Sequence, residues 1–269
     1  MYTLLSGLYT YLTEKVQYQV LLLGLDYAGK TTFKEQCEFI YSGNVKKIDS
    51  LQGIEANSNS RLYGGWVIVG GGDGKSMRSR IEEKTSPTVG LNIGKIETGR
   101  VKLLLWDLGG QEGLRQLWHN YFAEAHAVIF IVDSTDVERL REAKEILDTL
   151  LEDPKLKGAP FLILANKQDV PGALGESAIT KVLNMERSST GMPQKNKLKP
   201  KTAIADGEKK KAIKPLPEKR ETKIDIASNA RRIQGVSALK GTNVKQAIDW
   251  ILSVIPTCSR TSRIKLESV

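Results

Sequence analysis

Val20-Leu21-Leu22-Leu23-Gly24-Leu25-Asp26-Tyr27-Ala28-Gly29-Lys30-Thr31-Thr32 runs from an unbroken apolar segment into a loop bounded by glycines. Four large apolar residues in succession read as a strand buried on both faces, which favours a parallel sheet with helices on either side. Gly24–Thr31 matches GxxxxGK[ST] directly after that strand, and a helix is expected from Lys30 to about Tyr41. The chemistry needs this order. Glycines let successive backbone N–H groups turn inward around phosphate oxygens, and the helix N-terminus adds partial positive charge. The Lys30 ammonium can then reach the outer phosphates, and the Thr31 hydroxyl can ligate Mg²⁺.

Outward from this unit, strands are expected at Leu91–Glu97, Val101–Trp106, Ala127–Val132 and Phe161–Ala165, with helices at Asp136–Leu151, Glu176–Met185 and Asn243–Ile255. Strands alternating with helices of this length mean an α/β open sheet. Two stretches break the rhythm. Ser42–Lys84 holds 8 of the 24 glycines and one short apolar run, Trp66–Val69. Arg187–Arg232 holds four prolines, a Lys209-Lys210-Lys211 run and no aromatic residue. Loops beyond about 12–15 residues are uncommon inside compact domains, so both read as insertions. Val67–Ser76 imitates a second phosphate loop, but Val69 stands where its first glycine belongs.

Three further segments join the phosphate loop. Asn166-Lys167-Gln168-Asp169 follows a buried strand at the carboxyl edge, where open α/β sheets bind ligands. A carboxylate there can accept hydrogens from guanine N1–H and N2–H₂, and adenine offers neither donor on that edge, so Asp169 would select guanine. Asp107-Leu108-Gly109-Gly110-Gln111 follows the strand Val101–Trp106. An acid in that place holds Mg²⁺ directly or through water, a glycine N–H can approach the outermost phosphate, and Gln111 can orient an attacking water. Leu114, Leu117, Trp118 and Tyr121 continue it at helical spacing, and Thr88, in Pro87-Thr88-Val89-Gly90, supplies a hydroxyl for the same ion.

Taken in this order, the motifs resemble the small GTPases, and specifically their ADP-ribosylation factor (Arf) branch. The branch-specific residues are Gly24-Leu25-Asp26, Pro87-Thr88-Val89-Gly90-Leu91-Asn92, Trp106-Asp107-Leu108-Gly109-Gly110-Gln111, the spacing Arg115, Trp118, Tyr121, and Leu164–Asp169. The resemblance covers about 180 residues and leaves out both insertions. It implies a six-stranded, mostly parallel sheet and a Mg²⁺-dependent GTP/GDP switch. GTP would be held by residues 24–32, Thr88, residues 107–111, Asn166, Lys167, Gln168 and Asp169, with Ser237, Ala238 and Leu239 in the last nucleotide-contacting loop. Thr31, Thr88 and Asp107 would surround the ion, and Lys30 and Gln111 would carry hydrolysis. Thr88 and Gly110 would hold the triphosphate state and release on hydrolysis. No arginine of the matched motifs is an obvious internal finger, so turnover should be slow until an activating protein supplies one.

The implied partners are an exchange factor, an activating protein, effectors and a Golgi membrane receptor, and the implied place is the cytosolic face of the Golgi during vesicle traffic. Residues 1–17 set Leu4, Leu5, Leu8, Tyr9, Leu12 and Val16 at helical spacing, an amphipathic helix for the membrane or for the domain itself. With Tyr2 at the second position, the N-terminal myristoylation usual in the branch is not expected, nor, from the distance of Cys258 to the final residue, is prenylation. In the subgroup that Met1–Tyr9 matches best, an acetylated N-terminus docks on an integral Golgi membrane protein. The expected layout is that helix, a GTPase domain over 18–255 with insertions at 42–84 and 187–232, and a tail over 256–269.

Composition narrows the alternatives. The chain of 269 residues carries a net charge of +9. Arg187–Arg232 holds 14 Lys/Arg against 5 Asp/Glu, so the rest of the molecule is neutral. That segment is read first as a solvated, disordered loop and next as a contact for anionic lipid, at about 1 kcal/mol per Lys near such a surface. Nucleic acid ranks last, because no aromatic residue offers a base a stacking platform. Two distant cysteines exclude a disulfide scaffold and a cysteine zinc site, and no apolar run reaches the length of a membrane span. A soluble intracellular protein is expected. The other functional reading is a GTP-dependent scaffold with little hydrolysis, its first switch slowed by the 58 positions between Lys30 and Thr88, although closure entropy grows only logarithmically with loop length.

Overall fold

The computed structural model describes residues 15–42, 45–47, 62–63, 66–68, 88, 90–185 and 230–267. All of them belong to one compact unit, formed by Met1–Met185 with Asp225–Val269. The chain runs through β1 (Val16–Leu23), α1 (Lys30–Tyr41), β2 (Val45–Lys47), β3 (Leu62–Tyr63), β4 (Trp66–Ile68), β5 (Leu91–Thr98) and β6 (Val101–Leu108). It continues through α2 (Glu112–Arg115), a 3₁₀ turn (Gln116–Asn120), β7 (Ala127–Asp133), α3 (Leu140–Glu152), β8 (Phe161–Asn166) and α4 (Glu176–Val182). Last come β9 (Arg231–Gly235), α5 (Val244–Val254) and α6 (Ser259–Glu267).

The main sheet has the order β5-β6-β1-β7-β8-β9. Every pair in it is parallel except the β5–β6 hairpin. This is the six-stranded, mostly parallel sheet expected. After β1 the chain moves to one side of the sheet for β6 and then to the other for β7, so the strand order reverses beside β1. Ligand crevices form at such reversals, outside the carboxyl ends of the strands, and the phosphate loop stands there.

Strand alternation builds a core on each face. Val20 and Leu22 pack with Phe33 of α1 and with Ile248 and Ile251 of α5. Leu21 and Leu23 point the other way, to Trp118, Phe122 and Leu147 of α3. Neighbouring strands repeat the split, with Ile129 and Ile131 on the first side and Val128 and Phe130 on the second. A strand buried on both sides must be apolar throughout, which is why Val20–Leu23 shows no polar alternation.

Several boundaries differ from the sequence reading. The helix expected over 1–17 falls mostly outside the described residues, and its last two positions, Val16 and Gln17, are strand, paired with Val101 and Lys102. The first insertion, read as a loop with one apolar run, contains an antiparallel sheet in the order β2-β4-β3. The helix expected from Asp136 starts at Leu140, because the Asp136 carboxylate accepts the Arg139 N–H ahead of the first turn. The basic insertion, placed up to Arg232, gives its last two residues to β9, the sixth strand, which pairs with β8 through Phe161–Arg231 and Leu162–Arg232; the rest of it, 187–229, lies outside the described residues. The tail expected from residue 256 contains α6. Its Arg260 side chain is buried and donates to the carbonyls of Phe122, Ala125 and Lys155.

Candidate nucleotide-binding site

Three loops at the carboxyl ends of β1, β6 and β8 meet with the loop after β9. In the first, Gly24–Gly29 joins β1 to α1, and Lys30 is the first residue of the helix. The Lys30 side chain is buried and donates to the carbonyls of Gly24 at 3.0 Å and Leu25 at 2.7 Å, so the loop closes over its own lysine. Burial presses the Lys30 ammonium down to about 8, although Asp107 and Asp26 attract it upward. Gly29 has φ 92°, and a Cβ there would stand 2.4 Å from the Asn166 amide nitrogen. Both the left-handed backbone and the close approach require glycine at this position. Tyr27, also at positive φ, is 64% exposed, whereas Ala28 is buried.

The second group is the oxygen cluster. The Thr31 hydroxyl donates to Asp107 Oδ2 at 2.6 Å and lies 2.8 Å from the Thr88 hydroxyl. The three residues proposed for Mg²⁺ therefore converge from α1, the segment before β5 and the end of β6. Asp107 is fully buried, and its Oδ1 has no hydrogen-bond partner among the described residues. Burial raises the Asp107 carboxyl, while the Thr31 hydroxyl and Lys30 pull it down. A buried carboxylate oxygen with no donor, beside two hydroxyls, is a hard all-oxygen donor set of the kind Mg²⁺ takes. The residues present fit that ion.

Beyond Asp107, Gly109 donates its N–H to Gly90 at 3.2 Å, linking the segment before β5 to the end of β6. A Cβ on Gly110 would lie 2.5 Å from both Asp26 N and Gly24 O, so Gly110 rests directly on the phosphate loop. The following turn holds both glycine carbonyls: Trp118 Nε1 donates to Gly109 O at 2.9 Å, and Arg115 Nε to Gly110 O at 2.8 Å. Gln111 is exposed and precedes α2. The helix expected through Tyr121 is a single α-turn followed by the 3₁₀ turn.

The third group joins Asn166–Asp169 to the loop after β9. Asn166, itself buried, donates from Nδ2 to Ala28 O at 2.8 Å and accepts the Ala238 N–H on Oδ1 at 2.9 Å. One amide thus fastens the phosphate loop to the last loop. Asp169 accepts the Ser237 hydroxyl at 2.6 Å, and that hydroxyl accepts the Lys240 N–H. Gln168 donates from its side chain to Ser134 Oγ and Leu174 O. Lys167, at positive φ, pairs with Asp133. Burial works to raise the Asp133 carboxyl, but Lys167 and Thr135 hold it below the usual carboxylate range. Leu239, next to Ala238, is half-buried, as is Thr32 beside Thr31.

The structure also recruits residues to the site's frame that sequence reasoning left out: Asp133, Ser134, Arg139 and Glu142. Asp133 closes β7 at the same carboxyl edge where Asp107 is the last residue but one of β6, a repeated pattern present in the sequence. Arg139 and Glu142 carried no such signal.

Comparison with known proteins bears on the family and the fold. The family described as "Arf: ADP-ribosylation factor family" matches residues 75–255. ADP-ribosylation factor-related protein 1 of Homo sapiens is 36% identical over 255 residues, covering 95% of this chain and 93% of that one. ADP-ribosylation factor-like protein 3 of Saccharomyces cerevisiae is 32% identical over 253 residues, covering 94% of this chain and 92% of that one. Among solved structures, the Arl6 BBS3 small GTPase from Trypanosoma brucei, with bound nucleotide analogue GppNp, aligns at TM-score 0.55 and 24% identity over 91% of this chain and all of its own, a likeness of fold. The chain belongs to the ADP-ribosylation factor family of small GTPases, the GTP-binding switches.

Proposed function

We propose that the chain is a Mg²⁺-dependent GTPase that cycles slowly without an activating protein and recruits effectors to Golgi membranes in vesicle traffic. The observation that supports the nucleotide chemistry is the pair of hydrogen bonds made by the Asn166 amide, one donated to Ala28 O of the phosphate loop and one accepted from the Ala238 N–H of the last loop. Asp169 is the group that would read the guanine edge, with Ser237 orienting its carboxylate. Thr31, Thr88 and Asp107 would hold Mg²⁺, which when bound neutralises charge developing on the phosphates. Lys30 would bind the outer phosphates, and Gly110 would present its N–H to the terminal one. Gln111, exposed at the start of α2, would orient the attacking water.

The Golgi assignment rests on the apolar spacing of Leu4–Leu12 and on the likeness of Met1–Tyr9 to one subgroup of the family. Among the described residues no helix is long and apolar enough to cross a membrane, so attachment would use that N-terminal segment and a receptor. A tagged chain should coincide with a Golgi marker and lose it when Leu4 and Leu8 become Ser; retention by the variant would overturn the route.

The nucleotide reading is tested by competition between GTP and ATP with Mg²⁺, repeated for Asp169→Asn. GTP should be preferred by several orders of magnitude, and the substitution should erase most of that preference, because an amide presents a donor where guanine also donates. An unaltered preference would remove Asp169 from the site.

A further inference from the structure

Between the phosphate loop and the turn after β6 runs a chain of alternating charge. Asp26 Oδ1 accepts from Arg139 Nη2 at 2.6 Å, and Arg139 Nε donates to Glu142 Oε2 at 3.1 Å. The other oxygen of that carboxylate, Glu142 Oε1, is 2.7 Å from Arg115 Nη2. Arg115 Nε then donates to Gly110 O at 2.8 Å. Four side chains on three separate segments thus connect the third residue of the phosphate loop to the peptide between Gly110 and Gln111.

We propose that Arg139, Glu142 and Arg115 are positioning residues, a relay that transmits the placement of the phosphate loop to the Gly110–Gln111 peptide and holds that peptide in its hydrolysis-competent orientation. The inference rests on the GTP-hydrolysing reading above and names what sets the geometry of that site. Both Glu142 oxygens are committed, each to a different guanidinium, so the residue is a bridge between them. Arg115 completes it by holding the Gly110 carbonyl, which belongs to the same peptide as the Gln111 N–H. Gly110 itself lies on the backbone of Leu25 and Asp26, so a small tilt of this peptide changes what its two N–H neighbours can reach. Burial works to raise the Asp26 and Glu142 carboxyls, but the guanidinium contacts outweigh it and hold both below the usual carboxylate range. Arg141 and Glu145, on the same helix, form a pair that is 88% and 66% exposed and, among the described residues, joins nothing beyond α3. That pair is the internal control.

Glu142→Gln keeps the size, leaves one acceptor for two guanidinium groups and turns an amide toward the other. Its single-turnover GTP hydrolysis should fall about tenfold. Its affinity for a non-hydrolysable GTP analogue should fall about three- to fivefold, in the range expected for partly exposed charged pairs, with GDP affinity changed less than twofold. Combining it with Arg115→Lys should slow hydrolysis no further than the slower single variant, because both break one chain. Arg141→Ala should alter none of these by more than twofold. Unchanged hydrolysis in Glu142→Gln overturns the relay, as do additive losses in the double variant. GDP and GTP-analogue affinities falling together would show a merely structural role and overturn it too. If Glu142→Gln does not fold, Arg139→Lys carries the same readouts, since it keeps the charge and loses the two-pronged donor. A chain that binds no GTP at all would instead overturn the reading beneath, and the relay with it.

Discussion

The half of the crevice proposed to face the base and the half proposed to face the terminal phosphate are fastened by different physics. On the base side, Asn166 and Ala238 are almost wholly buried and joined by a neutral hydrogen bond, and a second one ties Asn166 to Ala28. On the phosphate side, Gly110 is held by Arg115, which pairs with a Glu142 side chain that is 39% exposed, and Gln111 stands in solvent. A buried donor or acceptor that loses its partner costs the full desolvation of that group, about 1–3 kcal/mol. An exposed charged pair that opens is rehydrated and costs about 0–1 kcal/mol. The first arrangement suits a loop that must present one shape to every nucleotide state. The second suits a segment that must let go when the terminal phosphate leaves.

The contrast can be tested from either side. The largest effect should come from the solvent-facing side: Gln111→Leu should retain GTP affinity within about twofold while turnover with an activating protein drops by about 10³ or more, since positioning of water is lost and binding is not. Phosphate-release kinetics would show this, and unchanged activated turnover would strip Gln111 of its role. Next, Asn166→Ala should weaken GDP and GTP together by about 30- to 300-fold in equilibrium binding, because Ala28 O and Ala238 N both lose a buried partner. A loss confined to GTP would break the division between the halves. The smallest effect concerns Lys30. Its pKa is near 8 in the buried loop, and a bound phosphate would raise it. The complex would therefore hold a proton that the free protein releases as pH rises through about 8. Affinity should be level at pH 7 and lower by up to about tenfold at pH 9. Lys30→Met should bind weakly with a flat profile; a parallel fall in both proteins would trace the effect elsewhere.

How much of this was legible in the chain depended on the range of the interaction. The phosphate loop was readable because its demands are local: glycine where φ is positive, a lysine and a hydroxyl on the first helical turn, an apolar strand before them. The carboxyl-edge positions of Asp107 and Asn166 followed from strand ends in the same way. β9 is not legible in the sequence because Arg231-Arg232-Ile233-Gln234-Gly235 lacks the apolar run of a central strand; as an edge strand it buries little beyond Gln234. The periodicity from Leu4 runs into Val16 and Gln17 and reads as helix, while pairing with Val101 and Lys102 makes them strand. The α6 helix reads as a tail in the sequence because its mean composition is polar, and its described anchors, Arg260 and Thr261, are buried polar side chains bonded to backbone carbonyls.

By itself the chain determined the α/β class, the Arf family and the identities of the groups proposed to meet nucleotide and ion, since each is written in adjacent residues whose backbone and side-chain chemistry admits few alternatives. The tertiary structure alone decided which arginine serves which carboxylate, and so placed Asp26, Arg139, Glu142 and Arg115 in one chain. The reason is physical. Guanidinium and carboxylate groups attract without regard to sequence distance, and Asp26 and Arg139 are 113 positions apart. Only the packing of α3 against the sheet brings them within bonding range.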